Sequence, residues 1–129
     1  MPKKLWEPSR TTIKNSNLYD YEKFISRNYK YKFSGKYKNL LNWSIKNTKD
    51  FWNSIWDYFE VKGIKTNKFK LTKDLINSKF FVNSKLNFAE NLLAKNTNQK
   101  AITFVSENGY REQKSWRELN IDVKKIITF

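Results

Sequence analysis

The side chains that could perform chemistry in this sequence are carboxylates and hydroxyls. The 129 residues include no histidine and no cysteine, which removes the commonest general base, the commonest metal ligand and the thiolate nucleophile. A Ser-His-Asp arrangement therefore cannot form within the chain. Three pairs of acidic residues close in sequence remain as candidates for acid/base catalysis: Asp20 with Glu22, Asp57 with Glu60, and Glu107 with Glu112.

These carboxylates are more typical of surface ion pairs, because 26 Lys and Arg residues accompany only 12 Asp and Glu residues. The glycines Gly35, Gly63 and Gly109 are isolated, whereas a phosphate-binding loop needs several glycines close together. The sequence therefore predicts no catalytic, cofactor-binding or metal-ligating residue in this chain.

The formal charge of +14 could indicate nucleic-acid binding. Lysines account for most of this charge and are scattered through the chain, with only four arginines: Arg10, Arg27, Arg111 and Arg117. A dedicated nucleic-acid surface more often clusters its charge and uses Arg, whose planar fork reads phosphates and bases. A solvated basic surface is favoured, and a small nucleic-acid-binding module is kept as an alternative.

Five Trp, seven Tyr and ten Phe residues indicate a chain that is at least partly globular. The first eight residues lack the apolar run of a signal peptide. The sequence also has no stretch of about 18 apolar residues that could span a membrane. We therefore expect a cytoplasmic protein without a membrane partner.

The elements that must position these side chains begin with helices. Residues 1–15 contain both prolines and predict an extended arm. Ser16 is expected to cap a helix over about 17–29, and a second helix is expected over 37–46. The first helix should have Leu18, Tyr21, Phe24, Ile25 and Asn28 near one face, and the second should bury Leu40, Leu41 and Ile45.

The most regular pattern follows Thr48, which is expected to cap a helix with Asp50 in its first turn. Apolar residues then recur at spacings of three and four, which places them along one stripe: Phe51, Trp52, Ile55, Trp56 and Phe59. Gly63 is expected to end this helix. We interpret the stripe as core packing, with a ligand-binding aromatic box as the minority alternative.

The remainder of the sequence changes from helical to hairpin character. Residues 64–85 read as irregular, and a helix is expected over about 87–95. A strand over 101–105, the turn dipeptide Asn108-Gly109 and a returning strand over 110–114 predict a β-hairpin. Ser115 and Glu118 form a capping box, and the helix that follows should have Leu119, Val123, Ile126 and Ile127 on its apolar face.

The last residues, Ile126 to Phe129, include no Gly, Asn or basic residue that would cap the final helix. Two strands also make a poor independent sheet, since three or more are usually needed. We therefore expect the chain to be a truncated piece of a longer protein, and we expect the remainder of that protein to cover its apolar faces.

Several stretches occur together in one known family in the same order and spacing. They are Leu5-Trp6-Glu7-Pro8-Ser9, Trp43-Ser44, Asp50-Phe51-Trp52, Ile55-Trp56-Asp57-Tyr58-Phe59, Lys85-Leu86-Asn87-Phe88-Ala89-Glu90-Asn91-Leu92-Leu93, Ala101 to Val105, and Ser115-Trp116-Arg117-Glu118-Leu119. In these stretches the chain resembles the opening region of the acetoacetyl-CoA synthetases, which are adenylate-forming acyl-CoA synthetases. Two features depart from the family: Phe88 stands where Tyr is more frequent, and Asn83-Ser84 where a Pro-Gly turn is common.

The resemblance implies an α+β fold in which a mostly helical region, residues 1–95, leads into the first strands of a larger α/β AMP-binding domain at 96–129. It also implies that the whole enzyme activates acetoacetate with ATP and Mg²⁺ and transfers the acyl group to CoA. The family's phosphate loop, adenylate-binding motifs and catalytic Lys would lie beyond residue 129, so this piece alone would be inactive. The alternatives are a relative of the acetyl- or propionyl-CoA synthetases and a helical interaction module that uses Trp52 and Trp56 as its contact.

Overall fold

A computed structural model describes residues 5–74 and 76–127. Within them are six helices and two strands: α1 Arg10–Lys14, α2 Asn17–Asn28, α3 Tyr37–Lys46, α4 Thr48–Tyr58, α5 Phe88–Leu92, β1 Lys100–Val105, β2 Arg111–Ser115 and α6 Trp116–Ile127. The expected α+β class is confirmed. The chain forms two compact units, one made of the residues up to Val61 with Lys65–Ser84, the other of Lys62–Ile64 with the residues from Lys85 onward.

Serine side chains start the first two helices. The Ser9 hydroxyl accepts a hydrogen bond from the Thr12 amide and caps α1, so the prediction of an extended arm is wrong for residues 10–14. Residues 1–4 of that arm lie outside the described residues. Ser16 caps α2 as predicted, because its hydroxyl accepts a hydrogen bond from the Tyr19 amide at 3.2 Å. These bonds satisfy backbone donors that the helix itself leaves unpaired.

The core of the first unit is formed by α2 and α3, with Phe51 and Ile55 of α4 packed against it. Tyr21 and Ile25 of α2 pack against Leu40 and Trp43 of α3, and all four are buried. The predicted bounds of α3 are confirmed, but its inward face is not the predicted one. Of the predicted residues only Leu40 is buried, whereas Leu41 and Ile45 are 40% and 66% exposed. Leu40 and Trp43 are three residues apart and define the inner stripe, which turns Leu41 and Ile45 outward.

The predicted aromatic helix forms as α4, with Asp50 in its first turn. Thr48 lies inside the helix and does not cap it, since its hydroxyl donates to the Ile45 carbonyl. Of the predicted stripe, Trp56 is buried, whereas Phe59, which follows the last helical residue, is 65% exposed. The rings of Trp52 and Trp56 contact Phe80 and Phe81 in the irregular segment 65–84, which confirms a packing role for both tryptophans.

The left-handed residue that terminates α4, two positions after its last residue Tyr58, is Glu60 rather than Gly63. The Val61 amide donates to the Trp56 carbonyl and the Glu60 amide to the Asp57 carbonyl, which is the Schellman arrangement. Glu60 has φ +50° at the left-handed position that glycine usually occupies. Gly63 has a different role in the second unit, where a Cβ atom would lie 2.6 Å from the Lys85 carbonyl oxygen.

Residues 64–85 contain no helix or strand in the part that the structure describes, as predicted, and only two isolated bridges, Ile64 with Lys85 and Lys70 with Lys79. The helix predicted over 87–95 is shorter: α5 begins after its cap Asn87 and ends at Leu92.

The predicted β-hairpin is confirmed. Strands β1 and β2 pair antiparallel, from Val105 with Arg111 to Lys100 with Ser115. At the turn only Gly109 adopts a positive φ, +84°, whereas the Asn108 side chain accepts the Tyr110 amide. The tight turn therefore depends on the glycine.

The capping box at the start of α6 is also confirmed. The Ser115 amide donates to the Glu118 carboxylate at 2.7 Å, and the Glu118 amide donates to the Ser115 hydroxyl at 3.2 Å. Leu119 and Val123 are half-buried, but Ile126 is 75% exposed. The Ile127 side chain, Thr128 and Phe129, on which the expectation of an uncapped end depends, lie outside the described residues.

Both units leave much of their surface in contact with water. The accessible surface is 11,204 Å², whereas a compact protein of this mass exposes roughly 7,200 Å² and two separate compact bodies of these sizes would expose roughly 8,700 Å². The chain therefore buries less of itself than a typical independent domain of its size.

We expect Glu60→Gly to raise the free energy of unfolding by about 0.5–1 kcal/mol, because glycine adopts the left-handed conformation without a Cβ clash. Chemical denaturation followed by tryptophan fluorescence would measure the change. Glu60→Ala is the matched control and should stay within about 0.5 kcal/mol of the parent, since alanine keeps the Cβ. Equal stabilisation by both substitutions would contradict the backbone explanation.

Candidate functional site

An apolar groove lies on the surface of the first unit. We define it as two adjoining hollows of about 420 and 400 Å³ that share Leu18, Tyr37 and Leu40. The larger hollow runs along α2, α3 and α4, and its apolar lining includes Leu41, Phe51, Ile55 and Phe59. Hollows of this volume can hold a small-molecule ligand or several side chains of another protein segment.

The edge of the groove is apolar as well. Tyr37 and Phe59 are each 65% exposed, and Leu18 is 46% exposed. Contiguous apolar surface of this kind marks a contact with other protein or with a ligand. The groove is thus the best-formed candidate for a functional surface in the first unit.

Three of the hydroxyl groups that line the larger hollow, those of Tyr21, Ser44 and Tyr58, already form hydrogen bonds within the fold. The Ser44 hydroxyl donates to the Leu41 carbonyl at 2.8 Å. Tyr21 and Ser54 share a hydrogen bond of 2.6 Å, and Tyr58 donates to Asp20 at 3.3 Å. Because these groups serve the fold, the groove offers packing surface rather than a set of reactive groups.

Glu22 is the most buried charged side chain that the structure describes, at 4% exposed. One oxygen of its carboxylate, Oε1, accepts hydrogen bonds from the Tyr31 hydroxyl at 2.5 Å, the Ser34 amide and hydroxyl at 2.9 Å each, and the Gly35 amide at 3.0 Å. A buried carboxylate needs such donors in place of water. Glu22 therefore holds the 31–35 loop against α2.

The protonation of this cluster follows from burial and hydrogen bonding together. Burial by itself would raise the pKa of Glu22, but the donors from Tyr31, Ser34 and Gly35 favour the carboxylate and hold its pKa below the ordinary value. Burial raises the pKa of Tyr31, and the hydrogen bond to Glu22 raises it further. Both groups are consequently fixed in one protonation state at neutral pH, which suits a structural role better than proton transfer.

A second polar cluster joins the C-cap of α2, α4 and the segment after α4. Asp57 accepts from the Tyr29 hydroxyl at 2.5 Å and pairs with the Lys65 ammonium at 2.5 Å. Burial would raise the pKa of Asp57, but Lys65 and Tyr29 together hold it below the ordinary value. Burial and Asp57 both raise the pKa of Tyr29.

Four of the six acidic residues considered as catalytic candidates have separate partners. Asp20 accepts from Tyr58, Glu22 from the 31–35 loop, Asp57 from Tyr29 and Lys65, and Glu112 from Tyr110. Each of these carboxylates meets a hydroxyl, amide or ammonium donor. The buried role of Glu22 was missed by the sequence analysis. Its position between Tyr21 and Ile25, on the buried face of α2, was the available signal.

Among residues 5–74 and 76–127, no three carboxylate, imidazole or thiolate side chains lie close enough to hold a metal ion. In the same part of the chain, no helix has both the length and the apolar character needed to cross a bilayer.

Comparison with known proteins finds similarity along nearly the whole chain. No protein-family model matches. The acetoacetyl-coenzyme A synthetase of Rhizobium meliloti is 28% identical over 123 residues, which are 95% of this chain and 19% of that protein. The acetoacetyl-CoA synthetase of Xenopus tropicalis is 27% identical over 94% of this chain and 18% of its own length. The malonamoyl-CoA synthetase of Penicillium aethiopicum is 26% identical over 94% of this chain and 18% of its own.

The fold has a solved counterpart. The acetoacetyl-CoA synthetase from Streptomyces lividans matches with a TM-score of 0.84 and 21% identity, over 95% of this chain and 20% of that structure. The chain thus spans about a fifth of the length of the relatives it matches. These matches confirm the resemblance to a piece of an acetoacetyl-CoA synthetase.

We expect acid to weaken the first unit through Glu22. The pKa of Glu22 in the folded chain lies below the ordinary 4.5, so its stabilising contribution is present above about pH 4.5 and is lost as the pH falls through the folded-state value. Glu22→Gln should lower the free energy of unfolding at pH 7 by about 1–3 kcal/mol. It should also reduce the loss of stability that the parent shows as the pH falls below about 4.5. Denaturation curves at pH 7 and pH 3.5 would measure both, and an unchanged pH profile in the variant would contradict the assignment.

Proposed function

We propose that this chain, a relative of a piece of the acetoacetyl-CoA synthetases, is the amino-terminal and non-catalytic part of an AMP-forming acyl-CoA ligase. In this proposal residues 1–95 form its helical region and residues 96–129 begin its AMP-binding domain. The whole ligase joins a carboxylate to ATP, releasing pyrophosphate and forming an acyl-adenylate. The CoA thiol then attacks the acyl carbon, and AMP leaves.

The observation that carries the proposal is the extent of the sequence similarity. Alignments with several named synthetases cover 94–95% of the chain, so they include both the helices and the hairpin. The stretches Leu5 to Ser9 and Leu86 to Leu93, which resemble the family most specifically, lie near the start of the first unit and in the second. The likeness therefore does not depend on a single motif.

The acetoacetyl and malonamoyl relatives support a short 3-oxo acid as the substrate. Acetoacetate and malonamate both carry a carbonyl two carbons from the carboxylate, and they differ by a methyl in place of an amino group. We favour acetoacetate, since more of the similar proteins carry that name. Acetate or propionate is the alternative.

In this proposal the chain supplies packing surface, and ATP, Mg²⁺ and CoA are bound by residues outside it. The Tyr21 and Ser44 hydroxyls and the Glu22 carboxylate at the apolar groove form hydrogen bonds within the fold, which supports a packing role for this chain and substrate binding by the rest of the ligase. The remainder of the same polypeptide would cover the groove. We also propose a cytoplasmic location; a nucleic-acid-binding module and a helical interaction module stay as alternatives.

A chimaera tests the proposal directly. The corresponding fifth of the Streptomyces lividans synthetase would be replaced by this chain, and AMP formation would be measured with acetoacetate, ATP, Mg²⁺ and CoA. We expect the chimaera to form AMP only when acetoacetate is added, and this chain alone to form none.

Two results would contradict the proposal. One is acetoacetate-dependent AMP formation by this chain alone, which would place catalytic groups within it. The other is a monodisperse, folded chimaera without activity, because a true equivalent of the replaced region should support catalysis. Omitting CoA while following pyrophosphate release would separate loss of adenylation from loss of acyl transfer.

A substitution in the groove tests the covering by the rest of the polypeptide. Phe59 lines the groove and is 65% exposed. We expect Phe59→Gln to cost the isolated chain less than about 1 kcal/mol but to lower the stability of the chimaera by about 2–3 kcal/mol, since the ring would be buried there. Asn42→Gln, at an exposed position of α3, is the control and should change neither. Equal effects of Phe59→Gln in both proteins would argue against covering.

A further inference from the structure

The irregular segment 65–84 brings three lysines to one face. Lys70 and Lys79 form an antiparallel bridge, with the Lys70 amide donating to the Lys79 carbonyl at 2.9 Å and the Lys79 amide to the Lys70 carbonyl at 2.8 Å. Residues that exchange both hydrogen bonds lie directly opposite each other, with side chains on the same face. Lys68 precedes Lys70 by two residues and shares that face. We call Lys68, Lys70 and Lys79 the lysine face.

The other side of the segment is anchored to α4. Phe69 contacts the rings of Phe80 and Phe81, which in turn contact Trp52 and Trp56 at centroid distances of 5.4 and 5.0 Å. The phenylalanines are half-buried and the three lysines are exposed. The aromatic packing therefore holds the backbone of the lysine face in place, and the lysines point to solvent.

The charge of the lysine face is not compensated within the described part of the chain. Residues 65–84 contain five lysines and a single acidic residue, Asp74. The Asp74 carboxylate accepts from the Ile76 amide and the Asn77 side chain. Among the described residues, no carboxylate forms an ion pair with Lys68, Lys70 or Lys79. Like charges directly opposite each other destabilise a strand pair, so an anion bound there would relieve a repulsion that the fold imposes.

We propose that the lysine face binds a small polyphosphate anion. The dimensions favour this class: residues two apart in an extended segment, such as Lys68 and Lys70, are spaced by about 7 Å, and directly opposed residues, such as Lys70 and Lys79, by about 5 Å. That area matches two or three linked phosphate groups, whereas a nucleic-acid strand needs a longer positive track. Lysine binds phosphate as a point charge and needs no planar fork. The site is separate from the apolar groove and does not depend on the proposed ligase.

Isothermal titration calorimetry of this chain with sodium tripolyphosphate at low ionic strength tests the proposal. We expect one binding site whose affinity falls as salt is added. Lys70→Glu and Lys79→Glu should each weaken binding at least about tenfold. Lys38→Glu, which makes the same charge change at an exposed position of α3, should stay within about twofold.

The melting temperature separates loss of the site from loss of the fold. Without anion, Lys70→Glu should melt higher than the parent, because a repulsive cross-strand pair becomes attractive. Tripolyphosphate should raise the melting temperature of the parent and of Lys38→Glu but not that of Lys70→Glu. A variant that is more stable yet no longer responds to the anion cannot be explained by misfolding.

Three results would overturn the proposal. Tripolyphosphate could fail to bind the parent. All three variants could lose affinity equally, which would indicate diffuse attraction by the net charge. A single-stranded oligonucleotide could bind more tightly than tripolyphosphate, with affinity that grows with length, which would assign the surface to a nucleic-acid backbone.

Discussion

The buried cluster of α2 and α3, against which α4 also packs, is the interaction on which the first unit depends. Tyr21 and Ile25 supply one side of the core, and Leu40 and Trp43 supply the other. The Tyr21 hydroxyl reaches Ser54 of α4, so α4 takes its position from the same contact. Phe80 and Phe81 of the segment 65–84 pack against the tryptophans of α4. This packing fixes the backbone on which the three lysines of the lysine face are placed.

A buried carboxylate determines how the chain passes from α2 to α3. Glu22 lies on the face of α2 that forms the core, where an unpaired charge would be costly. The 31–35 loop supplies four donors to a single carboxylate oxygen. A loop that would otherwise have many conformations is thereby ordered, and α3 begins directly after it at Tyr37.

The apolar surface connects this fold to the proposed role. An exposed groove, an exposed Ile126 and a sheet of two strands together leave more surface open than an independent domain of this size usually does. The relatives are about five times as long as this chain. A piece that positions other parts of a ligase needs such surfaces more than it needs reactive groups.

The sequence was sufficient for features whose cause lies within a few residues. The Ser16 cap, the Ser115–Glu118 capping box and the turn at Gly109 were all predicted, because each depends on a side chain bonding or fitting its immediate neighbours. The bounds of α3 were also predicted. Two local predictions were wrong. At α4 the N-cap is Asn47 and not Thr48. At α1 the cap Ser9 was not recognised, so residues 10–14 were predicted as extended.

The sequence by itself determined three of the longer helices (α2, α3 and α4), the hairpin with α6, the lack of His and Cys, and the family resemblance, since these are properties of composition and short patterns. Only the tertiary structure decided that Leu40 rather than Leu41 is buried, that Glu22 is an internal hydrogen-bond acceptor and that Lys70 faces Lys79. The partners of Glu22 lie 9 to 13 residues away, and Lys70 and Lys79 meet across a loop. Such contacts follow from the path of the backbone, which short patterns in the sequence do not specify.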